Sequence, residues 1–224
     1  MKTAIWLLTI LVQLVLITCP AKALIYWTNQ NGSASFFDWS GGGSDKGLFG
    51  SPTLVGGNTF VFFPSNFRAQ SSNGAAAIKS DRLEVGLLAH DGFQITGIKI
   101  TEYGDYGILT KGKVSVSGTT FITNLDVSPL QVLSGSLVGT PASPISSGSG
   151  DWFAQTVITG FDWTNLKLVL NNNLMAISSP GSTTFIEKKV LGEAVCIELI
   201  GVPEPATVCL LGLGALSLIR RKKH

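Results

Sequence analysis

The stretch Phe93-Gln94-Ile95-Thr96-Gly97-Ile98-Lys99-Ile100 decides the fold. Phe93 and Ile95 alternate with Gln94 and Thr96, the period of a strand with one buried face. At Gly97 the apolar phase flips, and Ile98 and Ile100 resume it. A glycine at a phase flip is the sequence form of a β-bulge. Neighbouring runs repeat the period of two. Leu83, Val85 and Leu87 alternate with Arg82, Glu84 and Gly86. Val114 and Val116 alternate with Ser115 and Ser117, and Phe121, Thr123, Leu125 and Val127 share one face. Leu166, Leu168 and Leu170 alternate with Lys167 and Asn171. Val195, Ile197 and Leu199 alternate with Cys196 and Glu198, forming the last strand. No stretch keeps a helical period over three turns.

Turn residues separate these runs, among them Asn31-Gly32, Gly56-Gly57-Asn58, Asn73-Gly74, Asp91-Gly92, Lys111-Gly112 and Pro180-Gly181. Half-polar strands with turns about every ten residues predict an all-β fold, an antiparallel two-sheet β-sandwich of jelly-roll-like kind over Leu24–Gly201. Ser134–Gly150, rich in Ser, Gly and Pro, reads as a long exposed loop within that domain.

Both ends differ from the middle. Met1–Ala23 has the form of a signal peptide: Lys2 as the charged start, Ala4–Thr18 as the apolar run, and Ala21-Lys22-Ala23 as a small-x-small cleavage site. A lipoprotein start at Cys19 is the alternative, disfavoured by Thr18 before it and Pro20 after it. At the other end, Val202-Pro203-Glu204-Pro205 precedes the uncharged apolar run Ala206–Ile219 and the cluster Arg220-Arg221-Lys222-Lys223-His224. Pro203 and Pro205 fix φ and remove two donors, which predicts an extended peptide outside any strand. As a helix, residues 206–219 span about 21 Å, short against a hydrocarbon core of ~30 Å. The four cations act as a stop that stays cytoplasmic.

Proline-bounded acid, apolar run and basic cluster, in that order, resemble the PEP-CTERM sorting signal of bacterial exported proteins. The resemblance rests on Val202, Pro203, Glu204 and Pro205, on the transmembrane run 206–219, and on the stop formed by Arg220, Arg221, Lys222 and Lys223. It implies an exosortase as processing partner, cleavage near the Pro-Glu-Pro, an inner-membrane anchored precursor, and a mature form at the cell surface or outside the cell. Signal peptidase is the partner expected at the other end. A plain tail anchor with incidental prolines is the competing reading.

The ends also distort the bulk numbers. The whole chain carries +2, but residues 24–201 hold ten basic against thirteen acidic side chains, a net −3. Nothing there points to nucleic acid. Cys196 is the one cysteine of residues 24–201, so no disulfide forms within that domain.

The chemistry-bearing residues are sparse. His90 beside the Asp91-Gly92 turn reads as a surface histidine with no evident partner. No Cys/His cluster, EF-hand loop, Gly-x-Ser-x-Gly or Walker-type lysine loop is present, so no cofactor or metal is expected from a contiguous motif, and a calcium site joining Asp38, Asp45 and Asp91 would have to be assembled in space. Glu84, Glu102, Asp105 and Asp126 could supply a pair for glycoside hydrolysis, yet each falls where a solvated carboxylate is expected. Trp27, Trp39, Trp152 and Trp163 either stack on sugars or fill the space between the sheets. Taken with the export that the sorting resemblance implies, the expected function is a non-enzymatic surface or extracellular-matrix protein. A carbohydrate-binding module that meets extracellular polysaccharide is the alternative, and a glycoside hydrolase the minor one.

Overall fold

The structure, a computed structural model, describes residues 23–189 and 195–204. The expected signal peptide up to Lys22, and everything expected from Pro205 onward, lie outside the described residues. From the amino end come β1 (Ile25–Tyr26), β2 (Gly32–Ser33), β3 (Phe37–Ser44), β4 (Thr53–Val55), β5 (Thr59–Phe62), β6 (Arg68–Ser72) and β7 (Ala76–Ala89). Then follow β8 (Phe93–Ile108), β9 (Gly112–Asn124), β10 (Gln131–Ser136), β11 (Val138–Thr140) and β12 (Ser149–Trp163). The last are β13 (Asn165–Ser178), β14 (Thr183–Lys188) and β15 (Val195–Pro203). No helix occurs among the described residues.

The strands form two antiparallel sheets. One has the order β1-β3-β7-β13-β9-β10, with β2 beside β3. The other has the order β11-β12-β8-β15-β5-β4, with β14 bridging β6 and the far half of β8. The chain changes sheet between β7 and β8, β8 and β9, and β12 and β13, so each long strand turns one face inward. Leu83, Val85 and Leu87 on β7 and Leu166, Leu168 and Leu170 on β13 are buried. Ile95, Ile98 and Ile100 on β8 and Val195, Ile197 and Leu199 on β15 belong to the same core cluster. Each such side chain contributes roughly 1.5–3 kcal/mol by leaving water.

The bulge expected at Gly97 is present. Gly97 is opposite Ile200 on β15 and Thr159 on β12, whereas Ile95 is opposite Gly201 and Trp163. Thr96 is thus the extra residue, and its Oγ1 donates to the Ile200 carbonyl at 3.3 Å. On β12 the matching irregularity holds Gly160, whose φ is +85°. The extra residue is what lets both Ile95 and Ile98 face inward.

Two expectations are overturned. Ser134–Gly150 is not a free loop. It completes β10, forms β11 and begins β12, and Ile145 bridges Val114 through a mutual pair of backbone hydrogen bonds at 2.8 and 2.9 Å. Leu137 is buried over Gly118, where an added Cβ would meet its Cδ1 at 2.4 Å. These strands are short and largely wet, so no apolar alternation marks them. The turn expected at Asn73-Gly74 is present, with both φ positive, +52° and +81°, and it joins strands of different sheets. Finally, the folded sheet continues past Gly201: Val202 lies opposite Gln94 and Pro203 opposite Phe93.

Candidate functional site

The end of β15 belongs to the segment expected to be handled by a protease. Pro203 ends β15, and the amide of Glu204 donates to the Gly92 carbonyl at 2.8 Å. N–H groups of an antiparallel strand alternate in direction, so Glu204 and Val202 face β8 while Pro203 faces away. β5 reaches only as far as Glu198, so the donor that Pro203 lacks would point at a vacated edge. Proline is tolerated in a strand in that position. Gly201 lies against Phe36, where an added Cβ would meet the ring at 2.2 Å, and Phe36 packs on Phe93 at 6.2 Å between centroids. Val202, Pro203 and Glu204 therefore follow directly from a packed strand.

The four tryptophans proposed as stacking residues belong to the interior. Trp27, Trp39, Trp152 and Trp163 are 4, 8, 1 and 8 % exposed, which leaves no ring face for a sugar. Trp27 packs on Phe62 at 5.3 Å and Trp39 on Phe60 at 5.4 Å. The indole N–H of Trp39 donates to the Asn29 carbonyl, and that of Trp152 to the Glu187 carbonyl. The outward aromatic pair is another one. Tyr103 and Phe153 are register partners on β8 and β12, with centroids 5.2 Å apart. Beside them Asp105 and Asp151 are also register partners, and Lys189 reaches them at 3.4 and 3.0 Å. Partial burial and a hydrogen bond with Asp151 push Asp105 up, while the hydrogen bond from Lys189 holds Asp151 down.

The other polar residues occupy separate places. Glu84 is paired with Arg82 and Lys167. Asp126 accepts from Thr164 and from the Asn165 amide, closing the turn between β12 and β13. His90 does have a partner, contrary to expectation: its Nε2 lies 2.9 Å from Asp38 Oδ1 and 3.4 Å from Ser33 Oγ. Both contacts use one nitrogen, so these residues do not form a relay through the ring. No group of His, Cys, Asp or Glu suited to a metal occurs among the described residues.

Glu102 is the exception to the expectation of solvated carboxylates. Its side chain is fully buried, as is that of Lys188, and Lys188 Nζ donates to Glu102 Oε2 at 2.5 Å. Asn172, 1 % exposed, donates through Nδ2 to Glu102 Oε1 at 2.5 Å. Glu102 and Lys188 belong to one sheet, and Asn172 to the facing sheet. Phe67, Trp152 and Phe49 surround the ammonium, with ring centroids 5.1, 5.4 and 5.9 Å from Nζ. Burial pushes the Lys188 ammonium down, against the opposing charge and hydrogen bond of Glu102. Asn172 Oδ1 and, elsewhere in the core, Trp27 Nε1 are buried without a hydrogen-bond partner. A signal for Glu102 was present in the sequence. Past Gly97 the inward phase runs Ile98, Ile100, Glu102. Asn172 likewise extends the row Leu166, Leu168, Leu170.

Among curated proteins none matches this chain in sequence. Solved structures with some likeness include TmCBM61 in complex with β-1,4-galactotriose, at 10 % identity and a TM-score of 0.24, covering 80 % of this chain and 98 % of that one. Another is the enzymatically active domain of bacteriophage CBA120 tailspike protein 4, at 10 % and 0.25, covering 76 % and 19 %. A third is the CBM22-1 xylan-binding domain from Paenibacillus barcinonensis, at 9 % and 0.22, covering 59 % and 86 %. Superpositions this loose carry no functional argument. A family match begins at the end of β15: residues 201–223 are a PEP-CTERM protein-sorting motif.

Proposed function

We propose that this protein is exported and handed to an exosortase through residues 201–223, and that its sandwich is the cargo, a non-enzymatic component of the cell surface or extracellular matrix. The motif match over residues 201–223 carries the reading and supports exosortase-dependent export from a membrane-anchored precursor. The geometry adds a constraint. Pro203 ends a packed strand and Glu204 is still bonded to Gly92, so no linker separates the sandwich from the motif. An exosortase working here meets the sheet edge directly, or waits for residues 202–204 to peel from β8. The test replaces Pro203, Glu204 and Pro205 with alanine in a host carrying an exosortase. Immunoblots of membrane and extracellular fractions should show uncut precursor accumulating in the membrane. Normal processing of that variant would reduce the segment to a plain anchor.

Carbohydrate binding is the second reading, supported by the outward Tyr103–Phe153 pair beside Asp105, Asp151 and Lys189. An aromatic face flanked by acceptors and a donor suits a sugar ring. Glycan-array binding that Tyr103→Ala removes would support it, and an array without any binding would set it aside.

A further inference from the structure

Glu102, Lys188 and Asn172 form an amine, an amide and a proton carrier enclosed between the sheets. We propose that Lys188 and Asn172 become joined by an intramolecular isopeptide bond, formed without any other enzyme and with Glu102 as the catalytic acid–base. The inference is independent of the sorting reading.

The geometry brings both reactants onto one proton carrier. One carboxylate holds both reactants, with Lys188 Nζ on Oε2 and Asn172 Nδ2 on Oε1, each at 2.5 Å. Such pre-positioning removes most of the entropic barrier to amide exchange. A lysine attacks only as the free amine, and burial among Phe49, Phe67 and Trp152 favours that form. The Asn172 side chain is itself buried, 1 % exposed, which keeps off the water that would otherwise compete as nucleophile. The Asn172 side chain keeps one acceptor, Oδ1, without a partner. Rotation of the amide about its Cβ–Cγ bond presents that oxygen to Glu102 once the carboxyl is protonated.

The step balances. Glu102 takes a proton from the Lys188 ammonium, and the resulting acid polarises the Asn172 carbonyl. Nζ attacks Cγ, and a C–N bond forms. Glu102 passes protons from the attacking nitrogen to the departing one. The Cγ–Nδ2 bond breaks and ammonia leaves. No oxidation or reduction occurs. The products are a secondary amide and a neutral carboxylic acid, so two buried charges disappear from a fully enclosed site. A buried ion pair is weak evidence of stabilisation in itself, since apolar residues of similar volume often serve as well. Here the pair is read as the precursor of a covalent tie between facing sheets.

Intact-mass measurement of the folded chain, incubated to constant mass, is the test. The expected mass is one ammonia below that calculated for the termini found by peptide mapping. Trypsin should fail to cut after Lys188, and a branched peptide containing both Asn172 and Lys188 should appear. Glu102→Gln and Asn172→Leu should both restore the full mass and the cut, with circular dichroism confirming that they remain folded. Folded wild type of full mass, cut after Lys188, overturns the proposal whether or not the variants fold. Loss of ammonia mapped to any other residue overturns it as well. A branched peptide that persists in folded Glu102→Gln removes Glu102 from its catalytic role.

Discussion

Two inward-facing carboxylates, Asp81 on β7 and Glu102 on β8, make opposite use of burial. Asp81 is 4 % exposed and its oxygens are saturated. Oδ2 accepts from Ser44 Oγ at 2.9 Å and from the Leu48 amide at 2.8 Å. Oδ1 accepts from the amides of Lys46 and Arg82, both at 2.9 Å. These bonds fold residues 45–48 onto the sheet and deliver Phe49 to the aromatic cluster, where it packs on Phe67 at 5.3 Å. Three of the four donors are backbone N–H groups, which cannot leave and cannot react. Glu102 has one donor on each oxygen, an amine and an amide, both with chemistry available. A buried carboxylate met by main-chain donors organises a loop. One that bridges an amine and an amide is equipped to move protons between them.

The difference can be broken from either side. Lys188→Ala should have the largest effect. It leaves Glu102 uncompensated in the core and should cost about 3–5 kcal/mol in urea unfolding. Replacing Lys188, Glu102 and Asn172 together by Met, Leu and Leu should remove the uncompensated charge but not restore the stability that a covalent tie between the sheets confers. Asp81→Ala should follow, at roughly 2–3 kcal/mol, because Ser44, Lys46 and Leu48 lose their acceptor. Its signature should be early exchange of the Lys46 and Leu48 amide hydrogens, felt more weakly at Asn172, the register partner of Asp81, and at Lys188, against which Phe49 packs.

Gly104→Ala should act on Glu102's side of the comparison alone. Gly104 is the register partner of Lys188, and an added Cβ would lie 1.9 Å from the Glu187 carbonyl oxygen. Overpacking of this kind costs about 1–3 kcal/mol, and it should loosen β14 from β8 while leaving the Asp81 loop intact. Hydrogen exchange of β14 is the measurement.

The smallest effect belongs to Glu84, a carboxylate of neither kind. Partial burial pushes it up, but hydrogen bonds from Lys167 and Arg82, with their charges, outweigh burial and hold it below the ordinary 4.5. Its folded value is depressed, so its contribution is present above 4.5 and is lost as pH falls through the folded value. A melting-temperature profile should fall slightly more steeply in that acid range for wild type than for Glu84→Gln.

Much of this protein was legible along the chain because the relevant signals are contiguous. The period of two places Ile95, Ile98 and Ile100 inward and marks the bulge at Gly97, since a strand's faces alternate by local geometry alone. The sorting motif is legible for the same reason: its residues are recognised in order, one after another. Other features required the third dimension. Pro203 belongs to a strand because β5 stops at Glu198 and frees that edge, which the order Val-Pro-Glu-Pro does not announce. Short, wet β10 and β11 take their structure from partners rather than from their own pattern. The partnership of Glu102 with Asn172 and Lys188 spans 70 and 86 residues. Each of the three is only a polar residue on an inward phase until two sheets are laid face to face. Local backbone geometry determines which way a side chain points, and only the packing of the sheets determines what it meets.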